Sequence, residues 1–208
     1  MGKSHDRFDQ IDRITAITQK DGEIFISSSA GILCLDGKNL KRKRLIDNQQ
    51  GVKFIFFTKG ERIFVASNLL VSTGVYDNGV VHSILPLLNI RSYTISERND
   101  TVLLGTTKGL YGYAHDSVFQ FKGFKQPELY ITKLYVDASK TILICTDGKG
   151  LLAYNTENDI QYFGLKEGLP SLNCSDIVQI DKRRYAVGTD KGLWIFDKVT
   201  KSSFLFDK

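Results

Sequence analysis

Apolar residues fall along this chain in short runs, and each run ends the same way. Three mostly apolar residues are followed by one small residue and then by Ser or Thr. The copies are Ile24-Phe25-Ile26-Ser27-Ser28, Ile63-Phe64-Val65-Ala66-Ser67, Val102-Leu103-Leu104-Gly105-Thr106, Ile142-Leu143-Ile144-Cys145-Thr146 and Tyr185-Ala186-Val187-Gly188-Thr189. Their hydroxyl positions, 28, 67, 106, 146 and 189, are spaced by 39, 39, 40 and 43 residues. A period near forty with β-branched and aromatic content predicts one four-stranded propeller blade per repeat.

The flanks repeat as well. Upstream of each triplet lies a further strand pattern, at 14–18, 54–58, 92–96, 132–136 and 177–181, joined to it by a short polar turn. Downstream, four copies reach a glycine and an aliphatic residue: Gly31-Ile32, Gly109-Leu110, Gly150-Leu151 and Gly192-Leu193. Glycine there predicts a tight turn with positive φ. The second copy has Asn68-Leu69-Leu70 instead, with Gly74 arriving late, so that repeat is expected to be irregular or to carry a longer loop. A third strand follows each turn, then a weaker fourth, as at Phe119-Gln120-Phe121 and Phe204-Leu205-Phe206. Leu193-Trp194-Ile195-Phe196 shows no polar alternation, which predicts burial on both faces and places Trp194 in a core. No helical apolar period is present. A plain sandwich also has many short strands, but it does not explain the recurrence. The expected fold is all-β: a single β-propeller domain over 1–208 with five blades near 12–45, 52–85, 90–122, 130–163 and 172–208, as a closed ring or as an arc of a larger propeller.

Composition adds little to this picture. The 208 residues are 42% hydrophobic and 25% charged, ordinary for a globular chain, and 18 glycines against 3 prolines suit many tight turns. The net charge of +5 is partly local, in Lys38, Lys41, Arg42, Lys43 and Arg44. That run reads as a solvated loop before it reads as a contact for an acidic partner, and no aromatic is interleaved to suggest nucleic-acid binding. Three cysteines, with no CxxC, predict neither a disulfide framework nor a structural zinc site; Cys34 and Cys145 read as small core residues. The start of the sequence shows neither a signal-peptide core nor a myristoylation pattern, and no apolar run is long enough to span a bilayer, so the given chain is expected to be soluble.

Between the last two repeats, Gly168-Leu169-Pro170-Ser171-Leu172-Asn173 leads into Ile177-Val178-Gln179-Ile180-Asp181, then Val187-Gly188-Thr189-Asp190-Lys191-Gly192-Leu193 and Ile195-Phe196-Asp197. In these residues the sequence resembles the two-component regulator propeller repeat. Leu104-Gly105-Thr106 with Gly109-Leu110, and Thr146 with Gly150-Leu151, match it in part; the first two repeats are degenerate. The resemblance implies an extracytoplasmic sensing module that binds ligands, often carbohydrate fragments in that family. The chain departs from the family in having no transmembrane helix, kinase or DNA-binding region, and fewer repeats.

Candidate chemistry is sparse. His5, His82 and His115 lie in different parts of the chain without ligand spacing, and no calcium loop, nucleophile elbow or phosphate loop is present. No catalytic, metal or cofactor residue is assigned. Irregular places, where a site would break the repeat, are 69–76, 115–126 and 164–171. The expected function is a non-catalytic sensor module binding a small ligand or a protein. The alternatives are an enzyme of the streptogramin-lyase type, which needs a histidine such as His115 beside carboxylates, and a scaffold. The last repeat can supply four strands by itself, and Arg7-Phe8-Asp9-Gln10 reads as an outer strand of a preceding blade. An arc that leaves its end faces wet is then expected to associate through them.

Overall fold

The computed structural model describes residues 13–46, 51–77, 79–124, 129–200 and 202–206; the expected strand at 7–10 lies outside them. It contains twenty strands in five four-stranded antiparallel sheets, the construction of a β-propeller. The first sheet runs β1 (Ile14–Lys20), β2 (Glu23–Ser28), β3 (Gly31–Asp36), β4 (Arg42–Ile46). The second is β5 (Val52–Phe57), β6 (Arg62–Ser67), β7 (Val71–Asp77), β8 (Val80–Leu88). The third is β9 (Ser92–Arg98), β10 (Thr101–Thr106), β11 (Gly109–Ala114), β12 (Ser117–Gln120). The fourth is β13 (Tyr130–Val136), β14 (Ile142–Asp147), β15 (Leu151–Tyr154), β16 (Ile160–Phe163), and the fifth β17 (Cys174–Gln179), β18 (Arg184–Thr189), β19 (Gly192–Asp197), β20 (Ser203–Phe206). Each sheet is a run of consecutive strands, and among the described residues none combines strands from the two chain ends. The chain divides into two compact units, residues 1–92 and 93–208.

The recurring Ser/Thr has one job in all five sheets. Its hydroxyl donates to a carbonyl across the turn between the second and third strands: Ser28 to Gly31, Ser67 to Leu70, Thr106 to Gly109, Thr146 to Gly150 and Thr189 to Gly192, at 2.6–3.1 Å. The same oxygen accepts a backbone N–H from inside the turn, as from Ala30, Leu69, Lys108, Lys149 and Lys191. A hydroxyl that is donor and acceptor at once closes a hairpin that glycine alone would leave loose. Glycine helps where it is present. Gly109 sits at φ 98°, and a Cβ there would fall 2.1 Å from the Phe124 carbonyl oxygen.

The second sheet corrects the expectation of a longer loop. Ser67 also accepts the N–H of Leu70, so the clasp holds with leucine in glycine's place, and Ala66 pairs with Val71 as its counterparts do elsewhere. The irregularity lies further on, in two register shifts between β7 and β8. Gly74 stands inside β7, where a Cβ would come 2.7 Å from the His82 carbonyl oxygen. The basic run is corrected in part too. Its latter half belongs to β4, an edge strand of its sheet.

Within each unit neighbouring sheets pack face to face. In residues 1–92, Phe25, Ile32 and Cys34 of the first sheet meet Val52, Ile55, Ile63, Val65 and Tyr76 of the second. In residues 93–208, the third sheet's Leu103 and Leu110 meet Ile131, Leu134, Ile142, Ile144 and Leu152 of the fourth. The fourth sheet's Leu143, Cys145, Leu151 and Phe163 in turn meet Ile177, Tyr185, Val187, Trp194 and Phe196 of the fifth. The small residue of the third repeat, Gly105, sits where two sheets approach closely. A Cβ on Gly105 would lie 2.5 Å from Thr94 Cγ2 and 2.6 Å from Ile131 Cγ2. Cys34, Cys145 and Trp194 are in the core, as expected. A bulge at the start of β1 and of β13 turns one threonine toward the next sheet: Thr15 Oγ1 donates to the Val52 carbonyl at 2.7 Å, and Thr132 Oγ1 to that of Cys174 at 2.6 Å.

Candidate functional site

The clefts in residues 93–208 include two at opposite ends of the sheets. The first lies between the third and fourth sheets at the clasped-turn end. It has a volume of about 500 Å³ and is lined by Tyr93, Thr107, Lys108, Tyr130, Thr132 and Asp147. β9 and β13 bring their first residues to this end, so Tyr93 and Tyr130 stand at its rim, 41% and 44% exposed. The two rings face the same open space, whereas Trp194 and Tyr185 are buried almost completely. The turns supply the charges, Lys108 and Asp147. The Lys108 backbone is fixed on both sides, since its N–H donates to Thr106 and its carbonyl accepts from Gln120 Nε2 at 2.8 Å. The Thr132 hydroxyl is already engaged by the Cys174 carbonyl. The cleft therefore offers two aromatic faces, a cation and a carboxylate on a rigid base.

The second cleft, of about 360 Å³, lies between the fourth and fifth sheets at the other end. Its floor is Asp137, whose side chain is only 3% exposed. The carboxylate accepts from Ser139 Oγ at 2.6 Å, Thr141 N at 3.0 Å, Tyr185 Oη at 2.9 Å and Lys198 Nζ at 3.2 Å. Burial pushes this carboxyl up, but the bonds from Ser139, Tyr185, Thr141 and Lys198 outweigh burial and hold it below the usual carboxylate range. The Tyr185 phenol is pushed up, first by burial and then by its bond to Asp137. Every strong acceptor position in this cluster has a donor. Such a network ties Asp137 of one sheet to Tyr185 and Lys198 of the next.

The segments expected to be irregular turn out to be largely structural. In 164–171, Glu167 Oε2 accepts the Gly164 N–H at 2.8 Å around a 3-10 turn, and Leu169 is buried in the core of the fourth and fifth sheets. Beyond it, the Leu172 carbonyl accepts the N–H groups of Gly148 and Gly150, so this connector braces the fourth sheet's clasped turn. In 69–76 lie the second sheet's turn and most of β7. His115 forms a tight turn with Asp116 between β11 and β12, both with positive φ. That turn is at the opposite end of its sheet from Lys108, so His115 lies away from the tyrosine-rimmed cleft. His82 is in β8, and His5 lies outside the described residues. Among the described residues no group of three or more His, Cys, Asp or Glu side chains is placed to hold a metal. The sequence did not point to Tyr93 and Tyr130. Their signal was an aromatic in the first two residues of two successive first strands, β9 and β13.

Comparison with known proteins bears on the fold. No protein-family model matches the sequence, and no curated protein matches it. Solved structures do. The extracellular domain of a hybrid two-component system of B. thetaiotaomicron superposes with a TM-score of 0.74 over 95% of this chain, at 16% identity. A second such domain from the same organism gives 0.64 over 95%, at 17% identity. The chain shares the fold of these extracellular domains. It spans 28% and 34% of the length of those two proteins. Virginiamycin B lyase from Staphylococcus aureus is similar too, with a TM-score of 0.70 over 94% of this chain and 71% of its own, at 11% identity. No helix among the described residues is long and apolar enough to cross a membrane.

Proposed function

We propose that this chain is a non-catalytic, extracytoplasmic recognition module of the sensory kind, and that it takes a small ligand in the cleft between Tyr93 and Tyr130. The observation that carries this reading is the pair of half-exposed tyrosine rings flanking Lys108 and Asp147 in an open space of about 500 Å³. Ring faces bind the apolar faces of sugar rings, and the lysine and the carboxylate address hydroxyls or acidic substituents. A carbohydrate fragment fits this chemistry, and it agrees with what the sequence resemblance implies. Titration calorimetry against a panel of neutral and uronic oligosaccharides tests the reading. Saturable binding that is lost in Tyr93→Ala and in Tyr130→Ala supports it. Binding that survives both substitutions refutes the site.

The lyases that share the fold supply a second reading, in which the chain is an enzyme of the streptogramin-lyase type acting on a streptogramin. That reading needs a general base near the substrate. Turnover of such a substrate, abolished by His115→Ala, would establish it in place of the first.

A further inference from the structure

The repeat shows which residues meet where one sheet comes close to the next. In the third sheet the small residue before the clasping threonine is Gly105. A Cβ there would lie 2.6 Å from Cγ2 and 3.3 Å from Cβ of Ile131, in the first strand of the fourth sheet. The Cβ atoms of a disulfide stand at nearly this separation, roughly 3.5–4.5 Å. Ile131 is the residue that pairs with the fourth sheet's own clasp, Thr146. Between the fourth and fifth sheets the same two positions are both cysteine. Cys145 precedes Thr146 as Gly105 precedes Thr106, and Cys174 pairs with Thr189 as Ile131 pairs with Thr146. The Thr132 hydroxyl, donating to the Cys174 carbonyl, holds β13 and β17 together at this point.

The two thiols are in contact. Both belong to the shared core of the fourth and fifth sheets, at 0% and 1% exposure, and the Cys145 S–H donates to the Cys174 sulfur. That bond, and then burial, push the Cys145 thiol up. A buried thiol raised in this way is a poor nucleophile once the fold is closed, so the pair reacts as the interface forms or when it opens locally. The third cysteine, Cys34, lies in the core of the first and second sheets, in the other compact unit.

We propose that Cys145 and Cys174 form a disulfide bond that staples the fourth sheet to the fifth in oxidising surroundings. The oxidant is an external disulfide, R–S–S–R. One cysteine thiolate attacks it and releases the first R–S⁻, leaving a mixed disulfide. The other thiolate then attacks the protein sulfur of that mixed disulfide and releases the second R–S⁻. One S–S bond breaks and one forms. The two cysteines lose two electrons and two protons, and R–S–S–R gains them as two R–SH. The closed loop contains β15, β16 and the connector 164–171. The bond is independent of what the tyrosine-rimmed cleft binds.

The test uses the full chain, unfolded in urea and diluted into buffer holding oxidised and reduced glutathione. Free thiols are alkylated after refolding, and the tryptic peptides are weighed before and after reduction. The expected result is one alkylated cysteine, Cys34, and a linked pair of peptides, 141–149 and 167–182, two hydrogens lighter than their sum, which separates on reduction. Chain purified folded and held in the same buffer should reach the same count more slowly, since both sulfurs are buried. Cys34→Ser should keep the link and Cys174→Ala should lose it. Reducing the bond in wild type should lower the urea midpoint by about 1–2 M, for a closed loop of roughly thirty residues; the midpoint of Cys174→Ala should not respond to reductant. Three alkylated cysteines by both routes overturn the proposal, whether or not a variant folds. So does a bond that includes Cys34, and a midpoint unmoved by reduction overturns the stapling role.

Discussion

Replacing Thr106 by valine isolates the clasp. Valine keeps the shape and the β-branch, so strand preference and packing volume barely change, and the loss is confined to the hydroxyl. That oxygen is fully buried; it donates to the Gly109 carbonyl at 2.8 Å and accepts the Lys108 N–H at 3.0 Å. Two net hydrogen bonds at ~1 kcal/mol each give an expected loss of about 2 kcal/mol. Thr189 makes the same two bonds, at 2.8 and 3.2 Å, but its turn is partly open to water, which replaces them when the hydroxyl is gone. Thr189→Val is therefore expected to cost about half as much or less. The readout is built in. Trp194 is the chain's one tryptophan, buried in the fifth sheet, and its fluorescence reports unfolding of the unit that holds both threonines. With a urea slope of roughly 2 kcal/mol/M, the Thr106→Val midpoint should fall by about 1 M. A midpoint unchanged from wild type, or equal losses at Thr106 and Thr189, would show that the recurrent hydroxyl is not what holds the hairpin.

Other outcomes follow from the same geometry. Asp137, with its carboxyl held below its ordinary value by four donors, contributes stability that is present above the unfolded value near 3.9 and is lost as pH falls through the lower folded value. Wild-type melting temperature should therefore drop more steeply than that of Asp137→Asn below about pH 4; parallel pH profiles would count against the network. Gly105→Val should lower the melting temperature, because its side chain enters space held by Thr94 and Ile131 and overpacking of this kind costs ~1–3 kcal/mol. Gly188→Ala, whose Cβ would meet only the Ser175 hydroxyl and the Asp176 backbone, should melt close to wild type; the reverse order would refute the assignment of the close approach. Tyr130→Ala should abolish oligosaccharide binding and leave the unfolding free energy within about 0.5 kcal/mol of wild type, since the ring is half exposed.

What could be read from the sequence is what each repeat does by itself. The hydroxyl at 28, 67, 106, 146 and 189 closes its own hairpin within four residues, so its spacing in the chain is its spacing in the fold. The glycine after it was over-read, because the clasp closes with Leu70 as well as with Gly109. The Asp137 cluster was not legible, since its partners Tyr185 and Lys198 are 48 and 61 residues away on another sheet. Nor was the tyrosine-rimmed cleft, because Tyr93 and Tyr130 meet only after two sheets have stacked. Periodicity reveals the parts that repeat. A site is made where equivalent positions differ, and that difference shows only once the sheets are side by side.

The clasp also bears on descent. Each hairpin is closed by its own hydroxyl, and each sheet ends in one face that receives and one that offers. A stretch of about forty residues therefore carries everything it needs to be inherited whole. Unequal recombination that copies or drops such a stretch delivers an intact sheet with compatible neighbours on both sides, whereas a break elsewhere severs a hairpin from its lock. Lineages built this way change the number of their sheets readily and the interior of a sheet slowly. Residues that set one repeat apart from its siblings, as Tyr93 and Tyr130 do here, are differences that arise after the copying is done.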